Sequence, residues 1–243
     1  MKQVYKHRYK AMIFDLDGTL ADTIEDLIDA VNKALTDHQL PTHSYEEGRK
    51  LIGRGVRNLM IRALPADHPK DDAFVDDITD LMMSYYNRQC VNHTEAYPGI
   101  EDLLRYLTYQ KIPFAVVTNK PDDAAKYIIE KLFFHWPFKI IVGQSDCFPR
   151  KPDPTALFYV MEQLGVEPKD CIYVGDSSVD YQTAKNAGVL PVLSLWGYGD
   201  EKVLKSFDDA IWIKNPLRAI DALKYGWDMY DIFHENKEDE FER

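Results

Sequence analysis

Cysteine is scarce in this 243-residue chain, with only Cys90, Cys147 and Cys171. They are odd in number, far apart and never in a CxxC pair, which excludes a disulfide framework and argues against a structural zinc site. A reduced, cytoplasmic setting fits that usage. Long apolar runs are also missing. None is much longer than residues 112–117, against the ~18 residues a membrane span needs, so no membrane association is expected. The N-terminal MKQVYKHRYK is basic but lacks the apolar stretch of a signal peptide. Positive charge is in deficit: 29 Lys and Arg face 40 Asp and Glu, a net charge of −11. A nucleic-acid partner needs a basic face, so none is expected. The chain has no internal repeat and no HExxH. Gly197-Tyr198-Gly199 has no third glycine where a dinucleotide fingerprint requires one.

The hydrophobic fraction is 45% and the charged fraction 28%, enough for a sizeable core. Short, continuously apolar, β-rich runs recur at residues 12–14, 114–117, 140–142, 171–174, 191–195 and 210–213. Runs of this kind suit strands covered on both faces. Between the later ones lie helical stripes: Ile100, Leu103, Leu104, Leu107, and then Ala125, Ile128, Ile129, Leu132. A third helix spans 154–164, with Asp153 as N-cap and Pro154 at its first position. This alternation predicts an α/β fold, a Rossmann-like, mostly parallel sheet flanked by helices. Residues 22–97 differ, with three helical stripes and no strand (Leu27 to Leu35, Val56 to Leu64, Phe74 to Tyr85). Tyr85-Tyr86 there reads as core or interdomain packing. The expected organisation is an α/β core from 1–21 and 98–226, an inserted all-helical domain at 22–97, and a solvated acidic extension at 227–243.

In open α/β sheets, ligands bind beyond the carboxyl ends of the strands. Four apolar runs are followed by polar signals there. After the first comes Asp15-Leu16-Asp17-Gly18-Thr19, whose paired carboxylates suit a hard cation and whose glycine suits a tight turn. The second is followed by Thr118-Asn119-Lys120-Pro121, a strand-end loop whose hydroxyl and amide can bind an anion. Lys151, between Arg150 and Pro152, follows the third. The fourth leads into Gly175-Asp176-Ser177-Ser178-Val179-Asp180. Each has an ordinary explanation alone, as a turn, a helix start or a surface lysine. Together they describe a cation site beside a phosphate site.

The ordered set DLDGT, Thr118, Lys151 and GDSSVD resembles the haloacid dehalogenase superfamily over roughly residues 10–225. The insert between the first two motifs matches that superfamily's helical-cap branch. The resemblance implies Asp15 as a nucleophile forming an aspartyl-phosphate and Asp17 as general acid, then base. Mg²⁺ would be held by Asp15, the Asp17 carbonyl and Asp176, with Asp180 orienting metal waters or binding directly. Thr118 and the backbone around Asn119 and Gly18 would bind phosphoryl oxygens, and Lys151 would offset their charge.

Within the superfamily the chain is most similar to the phosphoglycolate phosphatase subgroup, through Gly53-Arg54-Gly55, Thr118-Asn119-Lys120-Pro121 and Tyr97-Pro98-Gly99. That implies a small phosphomonoester substrate, 2-phosphoglycolate first, with Arg54 reading its carboxylate. The same pattern leaves open a pyrophosphatase, a nucleotide or sugar phosphatase, a β-phosphoglucomutase-type phosphotransferase, and a non-catalytic phosphate-binding protein. Monomer and homodimer are both open.

Overall fold

The computed structural model describes residues 9–52, 55–68 and 71–225. Arg54 and the 227–243 extension lie outside them. The chain opens with strand β1 (Ala11–Phe14) and the two-residue β2 (Ala21–Asp22). Four helices follow: α1 (Ile24–Asp37), α2 (Tyr45–Arg49), α3 (Val56–Ala63) and α4 (Asp72–Gln89). Then come β3 (Glu95–Ala96), α5 (Ile100–Tyr109), β4 (Phe114–Pro121), α6 (Asp122–Leu132) and β5 (Ile141–Gln144). The remainder is α7 (Thr155–Leu164), β6 (Cys171–Gly175), α8 (Ser178–Ala187), β7 (Leu190–Ser194), α9 (Glu201–Leu204), β8 (Ile211–Ile213) and α10 (Leu217–Tyr225).

Six strands form one parallel sheet in the order β5-β4-β1-β6-β7-β8. Its central strands are apolar on both faces, because both are covered. Met12, Phe14, Val116, Ile172 and Val174 join one buried cluster. Ala11, Ile13, Ala115, Val117 and Tyr173 alternate into the other. Parallel pairing aligns all six carboxyl ends, and β1 lies between β4 and β6. The polar residues after these three strands therefore meet.

β2 and β3 pair antiparallel, Ala21 with Ala96 and Asp22 with Glu95, in a region expected to hold no strand. At two residues each they show no periodicity. α1–α4 lie between them in sequence. The base of this segment is tied by buried Asp26 on α1, whose carboxylate accepts the His93 and Thr94 N–H groups and the Thr94 hydroxyl at 2.7–3.0 Å. α2 carries no apolar stripe; the Ser44–Glu47 capping box starts it.

Two local expectations change. α7 begins at Thr155, with Pro154 at the cap and the Asp153 carboxylate accepting the Thr155 N–H at 2.9 Å. Thr118 to Pro121 belong to β4 itself rather than to a loop. Val117 pairs with Val142 and Pro121 with Gln144, so Thr118, Asn119 and Lys120 bulge opposite Gly143 alone. A Cβ on Gly143 would collide with the Asp122 backbone and would crowd the Lys120 carbonyl at 2.8 Å. The glycine is what lets the bulge close up.

Candidate active site

Asp15 follows the last residue of β1, and its N–H donates to the Val174 carbonyl of β6 at 2.8 Å. That bond holds the first acid beside the strand that leads to Asp176. Asp15, Asp176 and Asp180 are buried, and each offers a carboxylate oxygen within 4.8 Å of the others. Lys151 enters from the loop before α7. Its Nζ lies 2.6 Å from Asp180 Oδ1 and 3.0 Å from Asp15 Oδ1. The Asp15 contact lacks hydrogen-bond alignment, leaving Oδ1 buried without a hydrogen-bond partner among the described residues.

The charge is unbalanced: three buried carboxylates face one ammonium. Burial, reinforced by Asp180 and opposed by Lys151, pushes the Asp15 carboxyl up to about 6. Burial, with Asp180 and Asp15 nearby, holds Asp176 well above the usual carboxylate range. Lys151 is held well above its ordinary value, the pull of Asp15 and Asp180 outweighing the opposing effect of burial. The arrangement suits a cation, since each carboxylate raises the cost of ionising the next.

The four acids have different freedom. Asp180 is the N3 residue of a capping box at the start of α8, its Oδ2 accepting from Ser177 N at 3.1 Å and Ser177 Oγ at 2.5 Å. Its Oδ1 takes Lys151 and the Tyr173 hydroxyl. Among the described residues Asp176 accepts one bond, from Tyr198 N at 2.6 Å. Asp17 accepts Thr23 Oγ1 and Lys120 Nζ, both at 2.7 Å and both on Oδ1. The Thr118 side chain is buried next to Asp15. Asn119 is committed elsewhere: its side chain donates to the Lys151 carbonyl and accepts the Lys151 N–H, clamping that loop. Gly18 has φ +76°, and a Cβ there would overlap the Asp176 carboxylate.

The sequence left the Gly197–Gly199 loop open as an active-site rim or an ordinary loop, and three contacts at the site went unread. The Gly197–Gly199 loop packs on Asp176, and a Cβ at either glycine would overlap the residue itself or its neighbour Gly18. The Tyr198 hydroxyl accepts the Thr23 N–H at 2.7 Å and donates to Asp22 at 2.8 Å, so the loop also holds β2. Lys120, buried, pairs with Asp17. The signal for the first was the glycine spacing; the other two depend on tertiary pairing.

A cavity of about 690 Å³ opens over these groups. The sheet side supplies Asp15, Asp17, Thr118, Lys151 and Asp176; α2, α3 and α4 add Arg49, Leu59, Arg62 and Tyr86. Arg49 donates to the Gly197 carbonyl and lies over the Tyr198 ring at 5.5 Å, bridging the helical segment to the sheet side. No helix among the described residues is long and apolar enough to cross a membrane.

Known proteins share this architecture. A phosphoglycolate phosphatase from Pseudomonas putida KT2440 is 36% identical over 218 residues, covering 87% of this chain and 78% of its own. One from Rhodospirillum rubrum is 35% identical over 210 residues, covering 82% and 87%. A solved structure from Lactobacillus delbrueckii subsp. bulgaricus, a candidate phosphoglycolate phosphatase, superposes with a TM-score of 0.83 at 28% identity, covering 89% of this chain and 98% of that one. The family model for haloacid dehalogenase-like hydrolases matches residues 12–193, a span that holds Asp15, Thr118, Lys151, Asp176 and Asp180. The chain belongs to the haloacid dehalogenase-like hydrolase family.

Proposed function

We propose that this enzyme is a Mg²⁺-dependent phosphomonoester hydrolase that works through an aspartyl-phosphate on Asp15, with 2-phosphoglycolate as its preferred substrate. The observation that carries the reading is the Lys151 ammonium between Asp15 and Asp180, with Asp176 completing the acidic cluster. The donor set fits a hard divalent ion: carboxylate oxygens, an orphaned buried Asp15 Oδ1 and an excess of negative charge. Asp15, the Asp17 carbonyl and Asp176 would hold it. Asp180, with both oxygens occupied by Lys151, Tyr173 and Ser177, would orient rather than bind. When bound, Mg²⁺ supplies charge neutralisation at the phosphoryl oxygens.

The chain's own residues then divide the work. An Asp15 oxygen attacks phosphorus as the bond to the leaving oxygen breaks, and Asp17 protonates that oxygen. Water then attacks the aspartyl-phosphate, giving its proton to Asp17 and releasing phosphate and free Asp15. Lys151 offsets repulsion between the Asp15 carboxylate and the phosphoryl group. Thr118 contributes a hydroxyl to the phosphoryl oxygens. Asn119 acts through its clamp on Lys151. The helical segment between β2 and β3 would serve as the cap that reads the leaving group and excludes water.

The substrate assignment draws on the names of the Pseudomonas putida and Rhodospirillum rubrum relatives. Its test is phosphate release from a panel of phosphomonoesters, pyrophosphate and β-glucose 1-phosphate, with Mg²⁺ and with EDTA. The expected result is Mg²⁺-dependent release, with 2-phosphoglycolate leading in kcat/KM. Glucose 1,6-bisphosphate formation in place of free phosphate, or several esters ranking higher, would overturn it.

A further inference from the structure

Lys120 and Tyr86 stand beside Asp17 with bonding capacity left over. The Lys120 side chain is 3% exposed; among the described residues it donates to Asp17 Oδ1 and has the Tyr86 hydroxyl as its other polar neighbour. An ammonium carries three N–H donors. The Tyr86 ring sits below it, 4.7 Å from Nζ to the centroid. Tyr86 Oη is buried beside the Lys120 ammonium, and its own O–H has no acceptor among the described residues. Buried hydroxyls are almost always satisfied, so an orphan at a cavity wall points to a group that binds there.

Both side chains line the cavity over Asp15. They come from opposite sides, Lys120 from the β4 bulge and Tyr86 from α4. Of the other cavity cations, Lys151 is committed to Asp15 and Asp180, Arg49 and Arg62 are exposed and engaged on the Gly197, Lys50 and Leu51 carbonyls, and Lys50 is solvent-exposed rather than buried at Asp17. We propose that Lys120 and Tyr86 form a subsite for a carboxylate on the carbon that bears the leaving oxygen, and so select α-phosphorylated carboxylic acids. The inference rests on the phosphatase reading and adds the residues that choose its substrate class.

The geometry follows from Asp17. To protonate the leaving oxygen it must lie within ~2.6–3.2 Å of it. Asp17 and Lys120 are 2.7 Å apart, so a substituent one carbon beyond that oxygen falls within reach of the ammonium, with Tyr86 beside it. Lys120 and Thr23 both bond Oδ1, which leaves Oδ2 for the substrate. A carboxylate would take the two idle donors, Nζ–H and Oη–H.

The test compares 2-phosphoglycolate with 2-hydroxyethyl phosphate, its neutral analogue, in wild type, Tyr86→Phe and Lys120→Met. Tyr86→Phe removes only the orphan oxygen and should fold with a Tm at or above wild type. It should lower the ratio of the two kcat/KM values about tenfold, through KM for the acid. Lys120→Met should lower that ratio further. A ratio within twofold of wild type in Tyr86→Phe, or parallel losses on both esters, overturns the subsite. If wild type hydrolyses neither ester, the phosphatase reading fails by itself. Calorimetric titration of 2-phosphoglycolate into Asp15→Asn and into Asp15→Asn/Tyr86→Phe then judges the subsite: about tenfold weaker binding in the double variant supports it, and equal binding overturns it.

Discussion

Lys151 and Arg57 are the same device in two settings. Each is a cation between two aspartates. Lys151 lies 3.0 Å from Asp15 and 2.6 Å from Asp180; Arg57 lies 2.6 Å from Asp72 and 2.7 Å from Asp76. Distance does not separate them. Burial does: the Lys151 side chain is 4% exposed and its Asp180 partner 1%, whereas Arg57 is 36% exposed and Asp72 92%. Among the buried groups water cannot screen a lost partner, so each charge depends on the others. On the surface of α3 and α4, water replaces whichever partner is removed. The sheet end thus concentrates the chemistry, while the helices bring bulk and shape to the cavity wall.

The largest expected effect comes from removing one acid of the buried set. Asp15→Asn should lower phosphate release by about 10⁴-fold or more, since a nucleophile has no substitute. The fold should persist, because Lys151 keeps Asp180 and a neutral amide removes a carboxyl already held at about 6 by burial. Turnover near wild type in a clean preparation, with an unchanged circular dichroism spectrum, would break the assignment.

Lys151→Met comes next. It leaves Asp15 and Asp180 buried without their cation. The expected cost is about 3–5 kcal/mol of stability, read by denaturant titration. Phosphate release should also fall about 10²–10³-fold. A smaller set of losses would mean that the buried acids are neutral without Lys151.

Divalent-ion binding gives a milder, pH-dependent effect. Asp15 is held above its ordinary value, so the folded chain keeps its proton more firmly than the unfolded chain does. That contribution to stability is complete below pH ~4 and lost as pH rises through about 6. An ion that needs the ionised form does the opposite. The Tm gain on adding Mg²⁺ over EDTA should therefore grow from pH 5 to pH 7.5, worth about 2.7 kcal/mol at a hundredfold excess over Kd. A gain that is flat or falls with pH would count against Asp15 as a ligand.

The buried end was readable in sequence because two signals coincide there. Residues 12–14 and 171–174 lose their polarity pattern entirely, and acids begin at Asp15 and Asp176 where the runs end. Parallel pairing then forces those ends together. Lys120 was not readable. Its direction depends on a bulge opposite Gly143, and pairing partners leave no mark in a single strand's sequence. Tyr86 sits on an apolar stripe like any core residue, and only its unsatisfied hydroxyl sets it apart. The Tyr198 contact with Asp176 is made by a backbone N–H, which every residue but proline has. α2 could have been found from Ser44 and Glu47 at capping-box spacing.

Arg57→Ala marks the other end of the scale. It deletes two contacts as short as those of Lys151. The guanidinium is nevertheless open to solvent, and both its partners are half exposed or more. Its loss should leave the Tm and kcat/KM for 2-phosphoglycolate unchanged within error at 0.15 M salt. Any small difference should vanish at 1 M salt, where the Debye length falls to ~3 Å. A Tm loss that survives high salt would show that Arg57 packs through its aliphatic stem. A change in kcat/KM without one would place α3 in the substrate path, and the contrast between buried chemistry and solvated shape would fail at its surface member.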